Sequence, residues 1–443
     1  MARRTREPET ALISSVTADG FGIADSSGKT VFVAGALAGE SVRFLRRKRR
    51  RNYDEAELLE VIEPSPSRIT PECAVYGICG GCSLQHVSGE DQRAIKARTL
   101  RDNLQRIGRV EPAEWLQPLH DVSSGGWHYR RRARLAVKDV AAKGRVLVGF
   151  RERHAPYVCD MHRCEVLAEP VAELIDPLSE LIGTLAIRKR LPQIEVAVAD
   201  ELTVLVFRVL QPPAEADLAA LAAFSRKHDV QVLLQSGGPD SVEPLDGHSP
   251  QAPLRYGLPE FQVEIRFQAT DFVQVNGAVN RLMVSRAIAL LDVREDHRVL
   301  DLYCGIGNFS LPLARRAGYV LGVEGEMQQV ERARENAVHN DIGNCEFRRA
   351  DLAAVDGRES WLQDGWDRVL LDPARSGARE IVAAIECIAA PRIVYISCHP
   401  GTLARDAAVL VHGKGYTLEV AGIIDMFPHT SHVEALAVFH KHQ

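Results

Sequence analysis

No run of eighteen or more apolar residues occurs in this 443-residue chain, so no helix of it should span a bilayer. Its first ten residues, Met1 to Thr10, are charged and lack the apolar stretch of a secretory leader; a cytoplasmic setting is expected. Excess positive charge is missing as well. The 54 Lys and Arg against 59 Asp and Glu leave a net charge of −5, which excludes a polyanion-binding field over the whole surface. Contact with nucleic acid must then come from local patches. The glycine-rich turn at Gly305 and Gly307 has Ser310 where a dinucleotide fold would place its third glycine, and no Gly-Lys-Ser/Thr follows it. Nine cysteines, an odd number, include a tight cluster, which points to reduced thiols, metal ligation and catalysis rather than disulfides.

The length suits two or three domains. Residues 8–64 read as short strands broken by glycine, a small closed β-barrel of the kind that binds oligonucleotides. An arginine-rich run, Arg43 to Arg51, is expected between its last two strands. A second basic run, Arg130-Arg131-Arg132-Ala133-Arg134, lies in a central domain covering residues 71–268, which reads as mainly β from about residue 128. Either run alone is as often a solvated face as a binding patch. From 269 to 443 strands and helices alternate, the signature of a doubly wound parallel sheet, and two final strands without a helix between them suggest an antiparallel edge.

Three turns of that last domain should open at the carboxyl edge of one sheet, where such sheets bind ligands. They are Asp301-Leu302-Tyr303-Cys304-Gly305-Ile306-Gly307-Asn308, Asp372-Pro373-Ala374-Arg375 and Ser397-Cys398-His399-Pro400. Acids at strand ends 301, 324, 351 and 372 suit an adenosyl group with an ammonium better than a pyrophosphate. A carboxylate at Glu324 would accept ribose hydroxyls, Asp351 could meet the adenine amino group, and Cys398 is a candidate nucleophile. Upstream, Cys73-x5-Cys79-Gly80-Gly81-Cys82 with a fourth thiol at Cys159 or Cys164 permits either zinc or a [4Fe–4S] cluster.

These motifs, with His432-Val433-Glu434-Ala435 and Phe272-Val273-Gln274-Val275-Asn276, resemble the signatures of the RNA uracil-C5 methyltransferases. The resemblance implies a Rossmann-like domain binding S-adenosyl-L-methionine through Gln274, Tyr303, Asn308, Glu324, Asp351 and Asp372. It implies Cys398 as nucleophile and Glu434 as base. Cys-Gly-Gly-Cys-x-x-Gln-His looks like the family's iron–sulfur subgroup, with Cys73, Cys79, Cys82 and Cys164 as ligands. The N-terminal barrel resembles the TRAM RNA-binding module, and the combination implies a monomeric enzyme acting on bacterial 23S rRNA. Arg132 and Phe272 are expected at the substrate, Arg132 on a carbonyl oxygen and Phe272, like Tyr129, in base stacking. Other readings are a tRNA or different rRNA uracil enzyme, a cytosine-C5 enzyme, which would have Pro before the cysteine, and an RNA-binding protein with an inactive methyltransferase fold.

Overall fold

Alternation with a period of two builds the N-terminal part of the chain. In the computed structural model, which describes residues 7–17, 19–247 and 253–441, five strands close into a barrel: β1 (Glu9–Val16), β2 (Phe21–Ser26), β3 (Lys29–Ala34), β4 (Ser41–Arg49) and β5 (Tyr53–Glu63), ordered β1-β2-β3-β5-β4. Ile13, Ala24, Val31, Val33, Val42, Phe44 and Ala56 fill it. A Cβ at Gly22 would lie 2.9 Å from both Ala36 and Ile13, so the wall closes there only on glycine.

The arginine run is not a loop between strands; it is β4 itself and the turn that follows. Period two carries Val42, Phe44 and then Arg46 inward. Arg46 is buried, donating to Asp54 (2.6 Å) and to Glu9 (2.8 Å), while Lys29 also donates to Asp54. Its neighbours Arg43, Arg47 and Lys48 pair across the ladder with Glu60, Glu57 and Glu55. The patch is thus largely neutralised by β5. Burial opposes ionisation of Asp54, yet the hydrogen bonds from Lys29 and Arg46 prevail and bring it down to about 2. Asp54→Ala is expected to cost the barrel about 3–5 kcal/mol by leaving Arg46 buried beside one partner fewer, read as a lower denaturation midpoint. A depressed carboxyl stabilises above its unfolded pKa of about 3.9, so that difference should vanish as the pH falls towards 2.

This barrel belongs to one of two compact units, comprising Met1–Thr99, Arg151–Cys159 and Phe427–His432. In it the cysteine loop pairs with the 151–158 hairpin: Gly80 N–H donates to the Arg151 carbonyl and Arg153 N–H to that of Ile78. Helix α1 (Gly89–Asn103) follows.

The other unit holds Leu100–Phe150, Asp160–Met426 and Val433–Gln443. After β6 (Glu114–Trp115) come β7 (Arg132–Val140), β8 (Arg145–Gly149), α2 (Ile175–Thr184), β9 (Gln193–Val198), β10 (Thr203–Arg208), α3 (Glu215–His228), β11 (Gln231–Gln235) and β12 (Val242–Pro244). Their sheet runs β12-β11-β10-β9-β7-β8. A hairpin, β13 (Leu254–Leu258) and β14 (Val263–Phe267), leads to α4 (Gly277–Leu291), whose first turn is capped by Asn276.

The doubly wound part comprises β15 (Arg298–Leu302), α5 (Ser310–Ala314), β16 (Tyr319–Glu324), α6 (Met327–His339), β17 (Cys345–Arg349), β18 (Arg368–Leu371), α7 (Arg379–Ala383), α8 (Ile385–Ile388), β19 (Arg392–Ser397), α9 (Pro400–Ala408), β20 (Thr417–Ile424) and β21 (Glu434–His440). The sheet order is β17-β16-β15-β18-β19-β21-β20-β6. β15, β16, β18 and β19 are nearly continuous apolar runs because helices cover both faces. Strand order reverses between β15 and β18, so a crevice opens beyond their carboxyl ends. Among the described residues no helix is long and apolar enough to cross a membrane.

Candidate active site

At the end of β15 the chain must turn sharply into α5. Tyr303 has φ 66°, in the left-handed region, followed by Gly305 at 54° and Gly307 at 96°. A non-glycine residue in that region marks a turn over-determined by its surroundings. Tyr303 and Cys304 N–H both donate to the Val323 carbonyl, and Glu324 accepts from Gly305 N–H (3.1 Å) and Gly325 N–H (2.6 Å). Glu324, expected on ribose hydroxyls, therefore also pins the turn. The Asn308 amide pairs reciprocally with Asn280 (3.0 Å both ways) and accepts from Tyr256 (2.9 Å). Neither partner was marked by the sequence: Asn280 lies inside a helical pattern and Tyr256 inside a strand. Asp351 is exposed just past β17, its carboxylate accepting from Ala353 N–H.

Asp301 is fully buried; Oδ2 accepts from Ser310 (2.5 Å) and Oδ1 has no partner among the described residues. Burial, with Asp372 and Glu324 nearby, pushes Asp301 up to about 7 against that hydrogen bond. Burial likewise pushes Asp372, at the end of β18, up to about 7. Carboxyls so crowded need positive charge, and a cofactor with a sulfonium and an ammonium supplies it. The residues fit that group.

Residues 269–276 lie along the approach to β7. Arg131 N–H donates to the Val275 carbonyl (2.8 Å), and the Arg132 guanidinium donates to the Ala269 carbonyl. Gln274 is half-buried and Phe272 is exposed, at 71 %. Tyr129 is a different case: it is buried, an apolar ring taken into the core, and is not available for stacking.

Cys398 stands in the bend between β19 and α9. His399 caps the helix, its Nδ1 accepting from Thr402 N–H (3.2 Å), and Pro400 occupies the first turn. β19 and β21 are antiparallel with Ser397 opposite Ala435, so Glu434, the first residue of β21, comes beside Cys398. Burial, then Glu434 and Asp372, push the half-buried Cys398 thiol up to about 11; Arg375 opposes them. Burial, then Asp372, pushes Glu434 up to about 8, again against Arg375. The Cys398 thiol, the Glu434 and Asp372 carboxyls and the Arg375 guanidinium thus act on one another electrostatically. Arg375 was visible only as the last letter of Asp-Pro-Ala-Arg.

Cys73, Cys79 and Cys82 occupy one loop, with Gly81 N–H donating to Cys79 Sγ (3.4 Å) and Arg153 to the Cys82 carbonyl (2.5 Å). Cys79 is buried, and its thiol is hydrogen-bonded to that of Cys159. Cys164 is a buried residue of the other unit, in a turn closed by Leu167 N–H. Among the described residues no three His, Cys, Asp or Glu side chains are arranged to hold a metal ion. The donors fit an iron–sulfur cluster in kind: soft sulfurs on a short loop, one already accepting an amide N–H.

The tRNA (uracil-5-)-methyltransferase family profile matches residues 117–442. The chain is 49 % identical over 440 residues to the 23S rRNA (uracil(1939)-C(5))-methyltransferase RlmD of Alkalilimnicola ehrlichii, covering 99 % of this chain and 98 % of that one. Against the enzyme of the same name from Methylococcus capsulatus the figures are 49 %, 98 % and 97 %. Among solved structures, the tRNA (uracil-54, C5)-methyltransferase of Pyrococcus abyssi, in complex with S-adenosyl-L-homocysteine, superposes with a TM-score of 0.75 at 24 % identity, over 97 % of this chain and 100 % of that one. That likeness establishes the fold.

Proposed function

The chain belongs to the uracil-C5 methyltransferase family, and on that footing we propose that it methylates C5 of a uridine in 23S rRNA through a covalent adduct on Cys398. The ladder pairing that sets Glu434 beside Cys398 at the mouth of the β15–β18 crevice carries this reading. Uracil C5 is too poor a nucleophile to take a methyl group unaided. The Cys398 thiolate, its proton lost to solvent, bonds through Sγ to C6, and the C5=C6 electron pair moves onto O4 as an enolate. Bound S-adenosyl-L-methionine would supply the methyl group that C5 takes, with S-adenosyl-L-homocysteine as the leaving product. Glu434 removes the C5 proton, the C5=C6 bond re-forms and the thiolate departs. Gln274, Tyr303, Asn308, Glu324, Asp351 and Asp372 surround the cofactor in this reading, while Arg132 and Phe272 meet the base. The base must leave its stack to expose C6.

Nearly full-length similarity to two 23S rRNA enzymes favours that substrate over tRNA. Tritiated S-adenosylmethionine with transcripts of 23S rRNA and tRNA tests it. Label mapped to one uridine of 23S rRNA is expected; label in tRNA alone would overturn the substrate.

Cys73, Cys79, Cys82 and Cys164 are proposed to ligate a [4Fe–4S] cluster, and the barrel over residues 8–64 to act as the RNA-binding module. Protein purified without oxygen should be brown, and Cys79→Ser or Cys164→Ser should bleach it while Cys159→Ser does not. Bleaching by Cys159→Ser and not by Cys164→Ser would make Cys159 the fourth ligand. A colourless protein with one zinc would remove the cluster.

A further inference from the structure

Both segments flanking Cys398 grip the same turn. Ala378 N–H, at the end of the turn after Asp372, donates to Asp406 Oδ2 (2.9 Å) on α9 and to Tyr395 Oη (3.0 Å) on β19. Tyr395 in turn donates to Asp406 Oδ2 (2.8 Å). Tyr395 and Asp406 are buried, so these contacts are shielded from water. Thr402 Oγ1 donates to the Arg375 carbonyl (3.2 Å), and Arg405 donates to the Ser376 carbonyl (2.9 Å) while its Nε is held by Asp406 Oδ1 (2.8 Å). Three of the four residues from Arg375 to Ala378 are thereby hydrogen-bonded to the helix that starts two positions after the thiol. The fit is close: Gly377 has φ +78°, and a Cβ there would come 2.6 Å from Asp406 Oδ2 and from Arg405 Nη2.

We infer that Asp406, with Tyr395 and Thr402, is a positioning network that holds Arg375 against the Cys398 thiolate and so activates the nucleophile. The inference rests on Cys398 being that nucleophile. The charged groups that act on Cys398 are Glu434, brought beside it by the β19–β21 ladder, and Asp372 and Arg375 from the turn, with His399 next in the chain. Among them Arg375 is the permanent cation, so releasing it removes the charge that opposes Glu434 and Asp372 at the thiol. None of the three network residues needs to touch RNA or cofactor for this effect.

The test uses the full-length protein and variants Asp406→Ala, Tyr395→Phe and Thr402→Val. Iodoacetamide labelling of the Cys398 peptide, followed by mass spectrometry from pH 6 to 11, reads the thiol directly without RNA or cofactor. For Asp406→Ala the rate profile should move up by about one pH unit, so that labelling at pH 8 falls about tenfold. The kcat for methyl transfer should fall at least tenfold while the KM for S-adenosylmethionine changes less than threefold. Tyr395→Phe and Thr402→Val should shift the same way by less, and they carry the test if Asp406→Ala does not fold. An unmoved labelling profile in folded variants overturns the proposal, even if kcat falls, because the network would then be only structural. A wild-type protein that shows the labelling response but transfers no methyl group would instead strike at the catalytic reading.

Discussion

Cys398→Ala is expected to abolish methyl transfer, by about 10⁴-fold or more, because no other group can form the bond to C6 that makes C5 nucleophilic. S-adenosylmethionine affinity should stay within about threefold of wild type, since the proposed cofactor contacts lie at the ends of β15, β16 and β18 and in the segment before α4. Equilibrium binding and single-turnover assays on the same preparation separate the two. The wild-type pH dependence follows from the site. Burial and the neighbouring acids push Cys398 up to about 11 and Glu434 up to about 8, so both are neutral below those values and charged above them. Thiolate supply therefore grows about tenfold per pH unit from pH 7 in the free protein. A bound sulfonium and ammonium should displace the profile downwards, because positive charge favours both anions. A pH-independent rate between 6 and 9 would contradict this.

Glu434→Gln should fail differently. Attack at C6 and methyl transfer need only the thiol and the cofactor, but release of the enzyme needs the C5 proton removed. The variant is expected to lose turnover by about 10²–10⁴-fold and to accumulate an RNA–protein adduct. A slow band on a denaturing gel reports it, and the double variant with Cys398→Ala should not form it. Glutamine keeps the size of the side chain, so the β19–β21 ladder should survive. Normal turnover with no trapped species would move the base elsewhere while leaving the fold untouched.

Much of this site is local in the sequence. Each strand-end motif carries its own instructions: an apolar run of strand length, then an acid or cysteine, then Gly or Pro to turn the chain. That is why the β15 turn, the Asp372 turn and the Cys398 bend stand where the pattern put them. α4 begins at Gly277 because Asn276 caps it, again a signal within three residues. Helix ends are less local: the apolar stretch after Ala378 divides into α7 and α8, and α9 stops at Ala408 before a π-helical turn, Val409–Gly413.

By itself the sequence determined the order of strands and helices, the family motifs and the chemistry of the side chains at the turns. Its charge runs misled because charge is counted along the chain while neutralisation happens across it. Arg46 looked like surface until period two turned it into the barrel beside Glu9 and Asp54, and β5 supplied acids opposite its neighbours. Only the tertiary structure set Glu434 beside Cys398, thirty-six positions away, through an antiparallel ladder. Only it joined Asn308 to Asn280 and Tyr256, and Ala378 to Tyr395 and Asp406. Short-range patterning dictates what each segment becomes, because backbone and solvent act on it locally. Which side chains then meet depends on how segments distant in sequence share one core, where a buried polar group must find a partner wherever the chain brings one.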